Sequence, residues 1–389
     1  MYSKPSLKPN NPLFSSGPCP KRPGWSLSGL SNAILGRSHR SKIALERIYK
    51  VISLIRETLN IPSSYQIGIV PASDTGAIEM LLWNLLGERP VDVLAWESFG
   101  NDWVKDIVNQ LKIENTRVIK AEYGEIVDLN KVNFDNDIVF TWNGTTSGVC
   151  VADAEWIKDE RKGLTICDAT SAVFSMELPW NKLDATTFSW QKVLGGEAQH
   201  GVIVLSPNVL NRLETFKANR PIPKIFQLVS NSSVNKKLFL GNTINTPSML
   251  CIEDVLDSLM WVQKIGGLKK TIELSKKNLS TVENKIKYSS WLDFLAKDPK
   301  TRSCTSICLK IKTSILETTD SEILKNNLSK LLNYLEKNNI AYDIGSYRDA
   351  PTGIRIWGGA TVSYQDIDIL LDWLEWGYSE FIKKRIKND

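Results

Sequence analysis

Histidine is almost absent: His39 and His200 are the only two in 389 residues. That scarcity excludes a His-rich metal centre. The six cysteines, Cys19, Cys150, Cys167, Cys251, Cys304 and Cys308, form no CxxC pair. Cys304 and Cys308 stand close together, but no second Cys or His pair lies near them to complete a zinc tetrad. The expectation is therefore no metal and buried, free thiols. No apolar run approaches the roughly 20 residues that a membrane span requires. Met1–Pro12 is polar and broken by proline, without the features of a secretory signal or a lipid anchor. A soluble, cytoplasmic protein without membrane contact is expected. Charge of one sign is lacking too: 48 Lys+Arg face 43 Asp+Glu, a net charge of +5. That excess is dispersed and too small to argue for a nucleic-acid partner, although it suits small anionic ligands. What is present is an ordinary globular composition, 42% hydrophobic, which excludes disorder as the dominant state and suits two domains.

Two periods alternate from Ser41 to Asp168. Ile43, Ala44, Ile48, Val51, Ile52 and Ile55 recur at helical spacing, and Tyr65–Val70 then reads as a buried strand. A Ser-Asp-Thr-Gly turn leads into a helix over Ala77–Leu86. Strands over Val91–Trp96, Arg117–Ala121, Asp137–Trp142, Leu164–Asp168, Thr186–Trp190 and Val202–Leu205 follow, with a helix over Asn101–Leu111. Apolar strands separated by crossover helices predict an α/β domain with a mainly parallel sheet. Beyond Pro247 the pattern changes to long helices over Met249–Lys264 and Leu268–Tyr288. A strand (Ser303–Ile311), a helix (Ile323–Lys337), two strands (Ala341–Ser346 and Gly353–Trp357) and a last helix complete the chain. That helix opens with Ser363 and Asp366 at capping-box spacing and ends in Lys383-Lys384-Arg385. The expected organisation is an N-terminal arm over 1–20, a large α/β domain over 21–248 and a smaller α+β domain over 249–389.

The stretch with the most chemistry is Leu164-Thr-Ile-Cys-Asp-Ala-Thr-Ser-Ala172, with Thr187-Phe-Ser-Trp-Gln-Lys-Val-Leu-Gly-Gly196 after it. A strand ending in Asp168 puts a carboxylate at the C-terminal edge of the sheet, where open α/β sheets bind ligands. A second strand ends in Lys192 at a Gly-rich turn. This pair is what pyridoxal phosphate (PLP) chemistry needs: the lysine forms a Schiff base, and the aspartate keeps the pyridine nitrogen protonated. Taken alone, a lysine after a strand is usually solvated and a strand-end Asp is often a turn residue.

Seven fragments in order carry a resemblance. They are Phe14-Ser-Ser-Gly-Pro-Cys-Pro20, Ser38-His-Arg-Ser-Lys42, Glu97-Ser-Phe-Gly-Asn-Asp-Trp103, Asn143-Gly-Thr-Thr-Ser-Gly148, Ser189-Trp-Gln-Lys192, Asn245-Thr-Pro247 and Gly353-Ile-Arg355. Together they resemble the phosphoserine aminotransferases, of the class-V group within the fold-type-I PLP enzymes. The resemblance implies Lys192 as the PLP lysine and Asp168 as its pyridine partner. It further implies Trp103 as the ring-stacking aromatic, Thr145 at the 3-hydroxyl, and Gln191 beside the lysine. Asn245 and Thr246 would reach the cofactor phosphate from the second subunit of a homodimer. Ser73, Asp74 and Thr75 open a helix whose N–H groups suit that phosphate. His39, Arg40, Arg348 and Arg355 would bind substrate carboxylate and phosphate bidentately. The implied reaction transfers an amino group between L-glutamate and 3-phosphohydroxypyruvate, in serine biosynthesis and also in pyridoxine biosynthesis.

Two departures from the family pattern stand out. Ala72-Ser-Asp-Thr-Gly76 replaces a glycine-rich phosphate loop, and Tyr347-Arg348 stands where the family carries His-Arg. Other readings remain. Ser189-Trp-Gln-Lys192 matches the Ser-x-x-Lys of penicillin-recognising hydrolases, but it ends a strand and lacks the Ser-Asp-Asn partner. An alanine- or serine-glyoxylate transaminase would not need an anion site at His39-Arg40. A cysteine desulfurase would need a mobile cysteine, whereas Cys304 and Cys308 look strand-buried. For His200 the expectation is a polar turn residue before the next strand. A non-enzymatic anion or nucleic-acid binder would cluster its cations with aromatics.

Overall fold

The computed structural model describes residues 3–230, 232–316 and 320–383. The helical period around Ile48 becomes α1 (Lys42–Leu59), which buries Ile48, Val51, Ile52 and Ile55 and ends at Asn60 in the left-handed region. Strands and helices then alternate through β1 (Gln66–Pro71), α2 (Ser73–Leu85), β2 (Val91–Ala95), α3 (Ser98–Lys105), β3 (Thr116–Lys120) and β4 (Asp137–Thr141). A two-stranded ribbon, β5 (Asn143–Gly144) and β6 (Val149–Cys150), precedes β7 (Thr165–Asp168), β8 (Ala185–Ser189), β9 (His200–Leu205) and α4 (Pro207–Thr215).

Seven of these strands form one sheet in the order β1-β9-β8-β7-β4-β2-β3. The run β8-β7-β4-β2-β3 is parallel, and β9 is antiparallel to both of its neighbours. β2, β4, β7, β8 and β9 are buried along their whole length, which is why they read as continuous apolar runs rather than alternating ones. Because β7 and β8 are parallel neighbours, with Asp168 opposite Thr187, the chain leaves both at one edge. That edge holds the site.

The remainder comprises β10 (Val229–Ser230), β11 (Ser233–Val234), α5 (Met249–Ile265), α6 (Gly267–Ile286), β12 (Leu292–Phe294), β13 (Ser306–Ile311), α7 (Thr313–Leu316), α8 (Ser321–Lys337), β14 (Gly353–Trp357) and α9 (Tyr364–Gly377). β12, β13 and β14 form an antiparallel sheet. One hydrophobic core runs from Ile48 and Ile55 of α1 through Phe188 and Leu259 to Trp291, Trp357 and Leu370. The C-terminal sheet is therefore joined to the first by packed side chains. Among the described residues no helix is long and apolar enough to cross a membrane.

Four local expectations need correction. Ala341–Ser346 is not a strand: only isolated bridges form, from Tyr342 to Leu13 and from Gly345 to Ile354, because Asp343 takes φ 57° and breaks the extended run. The capping box of α9 is half-made. Ser363 Oγ accepts the Gln365 N–H, but Asp366 turns away to accept the Asn10 N–H at 2.6 Å. The helix expected over Asn101–Leu111 starts earlier, at Ser98, and its second half, Asp106–Gln110, is a π-turn. His200 is no turn residue but the buried first residue of β9, and its Nε2 accepts the Ser248 N–H at 3.1 Å. Burial holds its imidazole down at about 4, so it is neutral. Of the basic end Lys383-Lys384-Arg385, the last two lie outside the described residues.

Candidate active site

A cavity of about 230 Å³ opens beyond the C-terminal ends of β1, β7 and β8. Ser73, Asp74, Thr75, Trp103, Thr145, Asp168, Gln191 and Lys192 all line it. Eight residues picked from five separate segments thus share one wall. Gly17, Phe99 and Thr170 complete it.

Lys192 is buried, and its Nζ donates to the Ser16 carbonyl. Burial lowers its pKa; the Arg355 charge lowers it further, against the opposing influence of Cys19, Asp168 and Glu97. A buried lysine with a depressed pKa carries more free amine near neutrality, the form that attacks a carbonyl. The N-terminal segment packs directly on it. Gly17 has φ +146°, a conformation that favours glycine, and a Cβ there would lie 2.9 Å from Lys192 Cε, so the segment passes directly over the lysine side chain. Cys19 is held there by its N–H to the Gln191 carbonyl at 2.8 Å, and burial pushes its thiol up to about 12.

Asp168 accepts the Thr170 N–H at 2.9 Å and the Trp103 indole N–H at 3.3 Å. Thr145 donates its hydroxyl to Ser171 Oγ at 2.9 Å. Asp74, in the first turn of α2, sits beside Thr170, Thr187 and Asp168. Burial, then the Asp168 charge, pushes its carboxyl well above the usual range. A carboxyl shifted this way repels an anion at the helix N-terminus less than an ordinary aspartate would.

The turn into α2 shows how this chain dispenses with a glycine-rich loop. Ala72 and Ser73 both adopt left-handed backbone, φ 64° and 53°, a conformation that glycine takes at no cost. Glycine is kept only at Gly76, where a Cβ would run into the Pro71 carbonyl and lie 2.7 Å from Ala72 Cβ.

The remaining sequence candidates are placed elsewhere. Arg355, on β14, is half-buried and close enough for its charge to act on Lys192 and Cys19; its guanidinium lies 5.5 Å from the Tyr347 ring centroid, and its Nε is buried without a partner. Arg348 is exposed and does not line the Lys192 cavity. His39 and Arg40 line a different cavity, of about 340 Å³, with Asn242, Thr243 and Ile244. Asn245 and Thr246 continue that segment and also stay outside the Lys192 cavity of their own chain. Within one chain, then, the two halves of the expected site stand apart.

Sequence reasoning missed Phe99, whose ring lies 5.6 Å from Tyr347, although it sits inside the quoted Glu97–Trp103 fragment. It also missed Cys19 and Thr170, which carry no pattern of their own. Cys304 and Cys308 are buried as expected, with thiols pushed up to about 12 by burial.

Gln191 Oε1 is buried in the cavity wall without a hydrogen-bond partner, and Asp74, Thr170 and Asp168 add polar groups to the same wall. Native interiors rarely leave such an acceptor open, and one in a polar cavity wall fits a polar ligand. PLP, with its phosphate, phenolic oxygen and ring nitrogen, fits this donor and acceptor set, and Lys192 is the amine it requires.

No family model matches the chain. It is 52% identical over 375 residues to the phosphoserine aminotransferase of Methanosarcina mazei, covering 96% of this chain and 99% of that protein. It is likewise 52% identical over 376 residues to the phosphoserine aminotransferase of Methanosarcina barkeri, covering 97% and 99%. Among solved structures, the phosphoserine aminotransferase of Cytophaga hutchinsonii superposes with a TM-score of 0.79 at 24% identity, covering 96% of this chain and 99% of that one. The ureidoglycine-glyoxylate aminotransferase of Bacillus subtilis does so with a TM-score of 0.76 at 18% identity, covering 96% and 94%. At such identities the structural likeness speaks for the fold, which aminotransferases of different substrates share.

Proposed function

Because the chain belongs to the phosphoserine aminotransferase family, we propose that the Lys192 cavity is the seat of PLP-dependent amino transfer between L-glutamate and 3-phosphohydroxypyruvate, giving O-phospho-L-serine and 2-oxoglutarate. The observation that carries this reading is the convergence of Lys192, Asp168, Trp103, Thr145 and the start of α2 on one cavity. We place the reaction in the cytoplasm and in serine biosynthesis, with the analogous phosphorylated substrate of pyridoxine biosynthesis as a second route.

PLP, when bound, supplies a carbonyl with which amines condense and a ring that accepts electrons. Lys192, its amine favoured by burial, would hold the cofactor, and the same Nζ is the group that would take and return the proton that moves during transfer. Asp168, fixed by Thr170 and Trp103, would be the carboxyl partner of the ring nitrogen. Thr145 would serve the phenolic oxygen, and Trp103 and Phe99 would give the ring an apolar wall. The N–H groups of Ser73–Thr75 and the positive end of α2 hold the phosphate. Arg355 binds the carboxylate that every amino-acid and keto-acid substrate shares. His39, Arg40, Asn245 and Thr246 work in a homodimer, where this chain lends them to the partner's cavity and receives the same set in return. That exchange accounts for their distance from Lys192 within one chain. The role of Arg348, exposed beside Tyr347, is at most peripheral anion capture. The desulfurase reading loses its reagent, since Cys304 and Cys308 are buried thiols held far from ionisation.

The test is direct. Purified protein supplied with PLP is expected to show an absorption band near ~410–430 nm that glutamate bleaches, and Lys192→Ala should bind PLP without that band. A wild-type protein that stays colourless, or a variant that keeps turnover, contradicts the proposal.

A further inference from the structure

The most deeply buried carboxyl beside the cavity belongs to a residue that the proposed chemistry leaves unused. Glu97 is 1% exposed and occupies the bend between β2 and α3. Its Oε1 accepts the Gly100 N–H at 2.7 Å, which closes the first turn of α3. Its Oε2 accepts the Thr146 hydroxyl at 2.8 Å and the Thr146 N–H at 3.3 Å. One oxygen is thus committed to α3 and the other to the turn between β5 and β6. The fit is close: a Cβ on Gly144, in that ribbon, would lie 2.8 Å from Glu97 Cγ.

The link continues outward. Thr146 Oγ1 accepts the Ser98 N–H at 3.1 Å and lies 3.3 Å from the Tyr123 hydroxyl, which is 2.6 Å from Ser98 Oγ. The two elements joined in this way each present cavity wall. α3 carries Phe99 and Trp103, and the turn carries Thr145. A side chain that only capped a helix would need one oxygen; here the second spans to another element.

We propose that Glu97 is a positioning residue of the catalytic cavity: its carboxylate fastens the start of α3 to the Thr145–Thr146 turn, so that the aromatic wall and the Thr145 hydroxyl keep one spacing around the cofactor ring. The inference rests on the PLP reading above. Burial pushes the Glu97 carboxyl up to about 7, against the hydrogen bonds from Gly100 and Thr146 and with a contribution from the Asp168 charge. The other titratable groups that sense it are Lys192, beyond β8, and Cys308 on β13. The charged form accepts all three hydrogen bonds, so the fastening is firm above pH 7 and loosens as the pH falls through that value.

The experiment compares the holoenzymes of wild type, Glu97→Gln and Thr146→Val by PLP dissociation constant and by visible circular dichroism of the bound cofactor between pH 6 and pH 8.5. Glutamine offers one acceptor where two oxygens are needed. Glu97→Gln is expected to weaken PLP binding about tenfold and to diminish the visible band. It should also abolish the inflection near pH 7 that wild type is expected to show. Thr146→Val removes the hydroxyl bond but keeps the N–H bond; it should move affinity and band the same way by a smaller factor, and it carries the test if Glu97→Gln fails to fold. Wild-type affinity, band and pH course in a folded variant would overturn the proposal. If wild type itself never takes up PLP, the cofactor reading falls and this one with it; if wild type binds normally and the variants match it, only this one falls.

Discussion

The Arg355 charge acts on Lys192, and among the described residues no carboxylate forms an ion pair with Arg355. Instead it rests on the Tyr347 ring, a contact that holds a cation in place without neutralising it. A charge kept available in this way suits a substrate carboxylate, and both half-reactions present one. Arg355→Ala is therefore expected to raise KM for glutamate and for the keto-acid acceptor together, by about tenfold or more, with PLP uptake retained. Steady-state kinetics on both substrates checks this. A rise for one substrate alone would reassign Arg355 to the side-chain end of the pocket.

At the scale of the element, the turn from β1 into α2 is where sequence and conformation disagree. The segment Ala72-Ser-Asp-Thr-Gly76 lacks the glycines that its shape calls for, and the chain accepts left-handed backbone at Ala72 and Ser73 instead. Only Gly76 is dictated by sterics. Gly76→Ala must displace the Pro71 carbonyl, at an expected cost of about 1–3 kcal/mol in urea unfolding and with weakened PLP binding, whereas Ala72→Gly should keep both. Unchanged PLP affinity in Gly76→Ala would remove this turn from the phosphate site. The same turn marks the limit of legibility. Strands such as Val91–Ala95 and Ala185–Ser189 announced themselves because both faces are buried. Ala341–Ser346 was misread because a single left-handed residue, Asp343, breaks extension without changing the apolar pattern. Asp366 misled because its tertiary partner, Asn10, lies 356 positions away. Glu97 opened a quoted fragment and caps α3 locally, but its link to Thr146 is a contact that only the fold creates.

Across the whole molecule the two edges of the sheet are built differently. At the N-terminal edge, Asp137 is met by Arg212 at 3.0 Å and by the Leu164 N–H at 2.8 Å, and Asp184 by Arg161, Thr165 and Asn208. Those carboxylates are saturated and hold loops in place. At the C-terminal edge Gln191 leaves a buried oxygen open in the wall of the Lys192 cavity, and that edge is where we place the binding site. His39 and Arg40 line a separate cavity, which on the proposed function leaves the site of one chain incomplete. If two chains complete each other, Lys192→Ala and Arg40→Ala subunits refolded together should regain activity that neither has alone. Random pairing makes half the molecules mixed, each with one intact site, so recovery should approach about a quarter of wild type. No recovery would place Arg40 in the cavity of its own chain or outside the site. The claim beneath all of this is that one amine, Lys192, holds the cofactor, and borohydride reduction of the PLP-loaded protein followed by peptide mass mapping tests it most directly. The account predicts a single phosphopyridoxyl adduct on Lys192; an adduct on another lysine, or none, would contradict it.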